Sequence, residues 1–228
     1  GEGAYLYTAD EEQYLDALSG IAVCSLGHAN PEVGAAISKQ AATLLHTSNL
    51  YRIELQENLS DRLTNIAGME NVFFCNSGAE AIEGALKVAR KYQFANGKPE
   101  RDQIVCATGS FHGRTLTTLS AGDNDKYREG FGPRPGGFKH VAFGNLNEMR
   151  AAMNETTAAI LVEPIQGEGG INPATAEYLQ ELRKIADEFD TLLIFDEVQC
   201  GMSRSGSLFA YSLAHTEPDI MGLAKGIG

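Results

Sequence analysis

Basic residues are scarce in this chain. Lys and Arg number 18 against 30 Asp and Glu, a formal net charge of −12 at pH 7, and no Lys/Arg-rich cluster interrupts the acidic excess. That balance disfavours a nucleic acid or an anionic membrane as partner, since both need local cationic charge. Long apolar runs are missing too: none approaches the roughly 20 residues of a bilayer span. The opening Gly1-Glu2-Gly3-Ala4-Tyr5 has neither a basic nor an apolar signal region, so a cytoplasmic protein is expected. The four cysteines, Cys24, Cys75, Cys106 and Cys200, stand far apart with no Cys-x-x-Cys pair, which indicates neither a zinc site nor a disulfide framework. Two of them follow apolar strand residues and read as core. Neither Gly-x-Gly-x-x-Gly nor Gly-Lys-Ser/Thr occurs, which removes the dinucleotide fingerprint and the Walker loop. Asp123-Asn124-Asp125 looks like the start of a calcium loop, but Arg128 and Arg134 occupy its sixth and twelfth positions, where an EF-hand needs Gly and Glu.

What is present is the material of a globular small-molecule protein. With 228 residues and 43% hydrophobic content the chain can bury a sizeable core in one large or two small domains. Residues 5 to 26 alternate polar and apolar positions around Tyr5, Leu6, Tyr7, Tyr14 and Ile21-Ala22-Val23, which predicts a small sheet. Pro31 opens a helical pattern running through Leu45, and Leu55 to Ala67 forms a second, ending at Gly68. From there strands are expected at 72–75, 104–107, 158–162 and 192–195, with a shorter one near 140–143, and helices at 79–95, around 146–153 and at 175–188. Such alternation implies an α/β fold whose mostly parallel sheet is wrapped by helices on both faces. The irregular stretch Gly122 to Gly137 is long enough to suggest a functional loop.

The strand ends carry the chemistry. Thr191-Leu-Leu-Ile-Phe195 stops on Asp196, so a buried parallel strand delivers a carboxylate to its C-terminal end, where open α/β sheets bind ligands. A second apolar stretch, Ile220 to Ala224, ends on Lys225 between small residues. An amine for a Schiff base and an acid for a ring nitrogen are what pyridoxal phosphate (PLP) requires. Ser77 and Glu80 form a capping box at the start of a helix, and Gly78 and Ala79 leave its first amides open to an anion. Phe111, beside glycines, is placed to lie on a ring, and Arg114 to take a carboxylate. Glu163-Pro-Ile-Gln-Gly-Glu168 and Gln199 follow two further strands. Each feature alone is equally a helix start, a core aromatic or a solvated charge; their convergence on one crevice is what gives them weight.

These residues resemble the class III, fold-type I, PLP-dependent aminotransferases. The resemblance runs through Gly20–Val23, Leu26-Gly27-His28 with Pro31, His46–Leu50, Phe74–Glu80, Phe111–Arg114, Glu163–Glu168, Phe195–Gln199 and Leu223–Gly226. It implies that Lys225 binds PLP covalently and that Asp196 pairs with the pyridinium nitrogen. Gly78 and Ala79 would hold the phosphate, Phe111 would stack on the ring, and Gln199 would touch the ring hydroxyl. Arg114 would bind a substrate carboxylate and Glu168 would be the gating glutamate; His112 and Glu163 match motif positions without a firm role. It further implies an amine donor, 2-oxoglutarate as acceptor and a homodimer. Residues 1–46 would belong to a small domain and 47–228 to the PLP-binding large domain. The family's chain continues past this lysine into a C-terminal small domain and a second carboxylate-binding arginine, so a fragment is expected, inactive alone and exposing a sheet edge. Which of the family's amines is used, free or acylated ornithine, succinyldiaminopimelate or 4-aminobutyrate, is left open by the motifs.

Overall fold

The chain divides into two compact units, residues 1–74 and residues 75 onward, in the computed structural model, which describes residues 1–227. In the first unit, β1 (Tyr5–Tyr7) and β2 (Gln13–Leu15) pair antiparallel with Tyr5 opposite Leu15. The expected third apolar piece, Ile21–Val23, does not join them. Asp16 Oδ1 accepts the amides of Leu18 and Ser19 at 3.2 and 2.8 Å and starts a turn instead, giving the short helix α1 (Ser19–Ala22) with Gly20 and Ile21 in the left-handed region. The α2 helix (Pro31–Thr43) begins as Pro31 predicts, with the Asn30 side chain accepting the Glu32 and Val33 amides. The α3 helix (Glu54–Ala67) ends on Gly68 at φ 66°, a left-handed C-cap. Of these elements' side chains only Leu63 and Ala67 are buried; Leu26, Leu45 and Leu50 are 71%, 84% and 88% exposed, so this unit builds little core of its own.

The second unit holds the core. The α4 helix (Gly78–Ala95) is capped by Ser77, whose hydroxyl accepts the Glu80 amide at 3.2 Å, while Glu80 reaches back to the Asn76 amide at 2.7 Å. There follow β3 (Gln103–Ala107), α5 (Leu116–Ala121), β4 (Phe138–Val141), α6 (Leu146–Ala152) and β5 (Thr157–Val162). A two-stranded hairpin of β6 (Ile165–Gln166) and β7 (Asn172–Pro173), then α7 (Ala176–Glu188), β8 (Leu192–Asp196) and β9 (Ile220–Gly222) complete it. The sheet runs β4-β3-β5-β8-β9, every pair parallel, with Ile160 opposite Leu193 and Phe195 opposite Met221. Ile82, Leu86 and Ala89 of α4 pack with Ile104, Cys106, Leu161 and Ile194. The alternate residues Val105, Ile160, Leu193 and Phe195 are also at 0% exposure, so both faces are covered, as parallel sheets require.

One expected strand is not formed. Residues 72–75 join no ladder among the described residues, and Phe73 stays 74% exposed. Four apolar residues make a strand only where a neighbour supplies hydrogen-bonding partners. Of the two cysteines that follow apolar runs, Cys106 is buried in β3, whereas Cys75 is exposed with the unpaired segment.

Candidate active site

Four elements of the second unit converge at the C-terminal end of the sheet. Asp196, the last residue of β8, is 3% exposed and uses both oxygens: Oδ2 meets His112 Nδ1 at 2.7 Å, and Oδ1 accepts the Val198 amide at 3.0 Å. Burial pulls the His112 imidazolium pKa down, but the hydrogen bond and charge of Asp196, with the charge of Glu163, outweigh it and leave His112 raised. Asp196 thus favours the protonated form of His112, whose Nε2 is buried without a hydrogen-bond partner. His112 carries no distinctive signal beyond its place in the Phe111–Arg114 motif, and its function as this clamp is legible only in three dimensions.

Beyond β9, Lys225 opens a one-turn 3-10 helix with φ at 52°. A non-glycine residue in this region costs roughly 1–2 kcal/mol, and such strain clusters at functional sites. Lys225 Nζ donates to Gln199 Oε1 at 2.9 Å. Burial lowers the Lys225 pKa, opposed by the charges of Glu168, Asp196 and Glu163. Of these, Glu168 is an exposed residue of the hairpin loop after β6. Gln199 therefore touches the amine here, a contact that motif reading did not anticipate.

The α4 N-terminus closes the crevice. A Cβ on Gly78 would stand 2.7 Å from Val198 Cγ1 and 3.2 Å from the Ala224 Cβ, so only glycine lets the helix start approach both the loop after β8 and the segment before Lys225. Gly113, at φ 133°, makes the corresponding approach to Ala79, where a Cβ would lie 2.7 Å from the Ala79 Cβ. The amides of Gly78 and Ala79 find no acceptor among the described residues. Phe111 and Arg114 follow β3, with the Arg114 guanidinium 5.8 Å from the Phe111 ring. The eight residues expected from sequence lie at one end of the sheet: Gly78 and Ala79 at the start of α4, Asp196 at the end of β8, and Phe111, Arg114, Glu168, Gln199 and Lys225 on the segments that follow β3, β6, β8 and β9.

Two buried carboxylates brace this end. Glu163 accepts the Phe111 amide at 2.9 Å and the Gly167 amide at 3.2 Å, tying the loop after β3 to the hairpin loop; burial raises its pKa to about 7. Glu197, 0% exposed, directly follows β8 and accepts the Ala210 and Tyr211 amides at 2.7 Å each. Its pKa is likewise raised to about 7, burial being the main cause. Sequence reading gave Glu197 no role, because a second carboxylate after Asp196 looks like a solvated charge.

A stability dependence follows from these shifts. A carboxyl whose folded pKa exceeds its unfolded value binds its proton more tightly when folded, so its stabilisation is lost as pH rises between the two values. For Glu163 and Glu197 that window is from 4.5 to about 7. His112, also raised, acts in the same direction above 6.5. The lowered carboxyls Asp10, Asp16, Glu57, Asp125 and Asp190 contribute fully above their ordinary values and add no slope there. Urea unfolding is expected to show stability falling from pH 5 to 7 by about 1.4 kcal/mol per pH unit for each buried carboxyl. Glu197→Gln removes about one such contribution; an unchanged slope would refute the assignment.

Comparison with known proteins gives the family. Residues 1–228 match the class III aminotransferase family over their whole length. The chain belongs to that family. It is 53% identical to the acetylornithine aminotransferase of Agrobacterium fabrum over 228 residues, all of this chain and 57% of that protein. The N-acetylornithine aminotransferase structure from Stenotrophomonas maltophilia superposes with a TM-score of 0.85 at 37% identity, over 99% of this chain and 57% of the other. A PLP-bound amine transaminase from an uncultivated Pseudomonas species does so with a TM-score of 0.93 at 31% identity, over 100% and 57%. The chain thus spans little more than half the length of these class III relatives. Class III aminotransferases are PLP-dependent, and the donor set here fits that cofactor: a desolvated amine, a clamped carboxylate with unused lone pairs, and two free amides at a helix N-terminus.

Proposed function

We propose that this chain supplies the cofactor-binding part of an aminotransferase that moves the terminal amino group of N-acetyl-L-ornithine to 2-oxoglutarate, giving N-acetylglutamate semialdehyde and glutamate in arginine biosynthesis. The observation that carries the reading is the Lys225–Gln199 contact beside the Asp196–His112 pair. The acyl-ornithine substrate is supported by relatives of that name at about half identity. In this reading residues 1–46 serve a small domain, 47–228 the large domain, and the working enzyme is a homodimer.

PLP, when bound, supplies an aldehyde for the amine and a ring that withdraws electrons from the neighbouring carbon. Asp196, fixed at both oxygens, offers its remaining lone pairs to the ring nitrogen, and His112 holds the carboxyl in place. The Gly78 and Ala79 amides hold the phosphate at the positive end of α4. Phe111 orients the ring. Lys225 Nζ, its lowered pKa favouring the neutral amine, takes the proton from the donor's amine-bearing carbon and returns it across the site. Gln199 Oε1 aims that amine, and Arg114 fixes the donor carboxylate with a bidentate fork. Glu168 stands at the mouth, where its charge acts on Lys225.

The test is a donor panel with 2-oxoglutarate, using the complete protein that carries this sequence. N-acetylornithine is expected to give the highest kcat/KM among it, succinylornithine, ornithine, succinyldiaminopimelate and 4-aminobutyrate. A higher value for another amine replaces the assignment with that substrate.

A further inference from the structure

Among the described residues Arg114 is held by aromatic rings and not by a carboxylate. Arg52, Arg128, Arg134, Arg150 and Arg183 are each paired with a carboxylate. Arg114, an exposed residue, has no carboxylate or carbonyl partner among the described residues. Its guanidinium lies instead 4.5 Å from the centre of the Tyr127 ring. Tyr127 in turn meets Phe111 edge to face, with ring centres 5.9 Å apart and planes at 84°. One tyrosine from the loop 122–137 therefore contacts both the proposed carboxylate ligand and the proposed ring-stacking aromatic.

The placement of Tyr127 is built. It ends a one-turn 3-10 helix, Asp125–Tyr127, whose start is capped by Asn124 accepting the Lys126 amide at 3.1 Å. The next residue, Arg128, donates to the Gly122 carbonyl at 3.1 Å and pairs with Asp125, which also pairs with Arg134. On the other side, Gly113 is pressed against Ala79, and Thr115 caps α5 with its hydroxyl 2.6 Å from Glu83. Arg114 is thus anchored at its backbone and stacked at its tip. A free arginine loses much rotamer freedom when it grips a ligand. A ring beneath the guanidinium removes part of that freedom beforehand while leaving the N–H fork available to a carboxylate.

We infer that Tyr127 is the positioning residue for Arg114, and so sets how tightly carboxylate-bearing donors bind. The inference rests on the carboxylate role proposed for Arg114. It extends that role to a loop residue that no motif singles out.

The test uses the PLP-loaded complete protein and N-acetyl-L-norvaline, which has the acylated amine and carboxylate of the proposed donor but no transferable amine. Calorimetry is expected to show its Kd weakened about 5- to 30-fold in Tyr127→Leu, the range of a cation–π contact from exposed to partly desolvated. Tyr127→Phe keeps the ring and binds like the unaltered protein, while Arg114→Ala loses binding. In turnover, Tyr127→Leu raises KM for carboxylate-bearing amines more than it lowers kcat, and raises it less for pentylamine, which has no carboxylate. The inference is overturned if Tyr127→Leu binds norvaline normally, if Leu and Phe variants lose binding equally, or if the unaltered protein does not bind it. Absence of transamination with the norvaline pattern intact refutes the proposed reaction and leaves the Tyr127 assignment standing.

Discussion

Lys225→Ala is expected to lower transamination by at least about 10²–10⁴-fold, the worth of a positioned proton-transfer group, while the protein still folds. The two effects separate because Lys225 does little for stability. Among the described residues its side chain makes one hydrogen bond, to Gln199, and a typical such bond contributes only about 0.5–1.5 kcal/mol. Against that stand the desolvation that lowers its pKa and the left-handed backbone at φ 52°. Replacement relieves the desolvation, and Lys225→Gly relieves the backbone as well, so melting temperatures should hold or rise in both variants. Turnover surviving in Lys225→Ala would mean that another group moves the proton.

Asp196→Ala is expected to have the largest effect on the fold around the site. It leaves the His112 Nδ1 buried without its partner, and removing one partner of a buried charged pair costs on the order of 3–5 kcal/mol. The Val198 amide loses its acceptor at the same time, just before Gln199. Weaker PLP binding should accompany lower stability, read by urea unfolding with and without cofactor. Asp196→Asn separates the two parts: it retains an oxygen for the Val198 amide but supplies no charge to His112. If Asp196→Ala unfolds at the same urea concentration as the unaltered chain, the buried pair described here does not hold.

Much of this fold was legible in the chain because its strongest signals are long. The runs at 158–162 and 192–196 are apolar almost throughout and become β5 and β8, buried on both faces. The helices at 78–95 and 176–188 have capping residues and a regular apolar period. The short signals failed where pairing decides. Residues 72–75 have strand-forming side chains but no ladder, and Ile21–Val23 yields to the turn begun by Asp16. Asp196 and Lys225 were readable as strand-end groups because core packing alone seldom puts a charged residue at the close of an apolar run. Glu197 was not, since only the 210–211 amides brought to it by a later part of the chain make its carboxylate meaningful. Tyr127 was hidden in an aperiodic loop whose conformation is set by Asp125 and its two arginines, not by any local repeat.

The central claim is that Lys225 is the group that takes PLP. Borohydride reduction after incubation with PLP, followed by peptide mass mapping, tests it directly on the protein. A pyridoxyl adduct confined to Lys225, and weakened in Asp196→Ala, is the predicted result. An adduct on a different lysine, or one spread over several with Lys225 unlabelled, would contradict it.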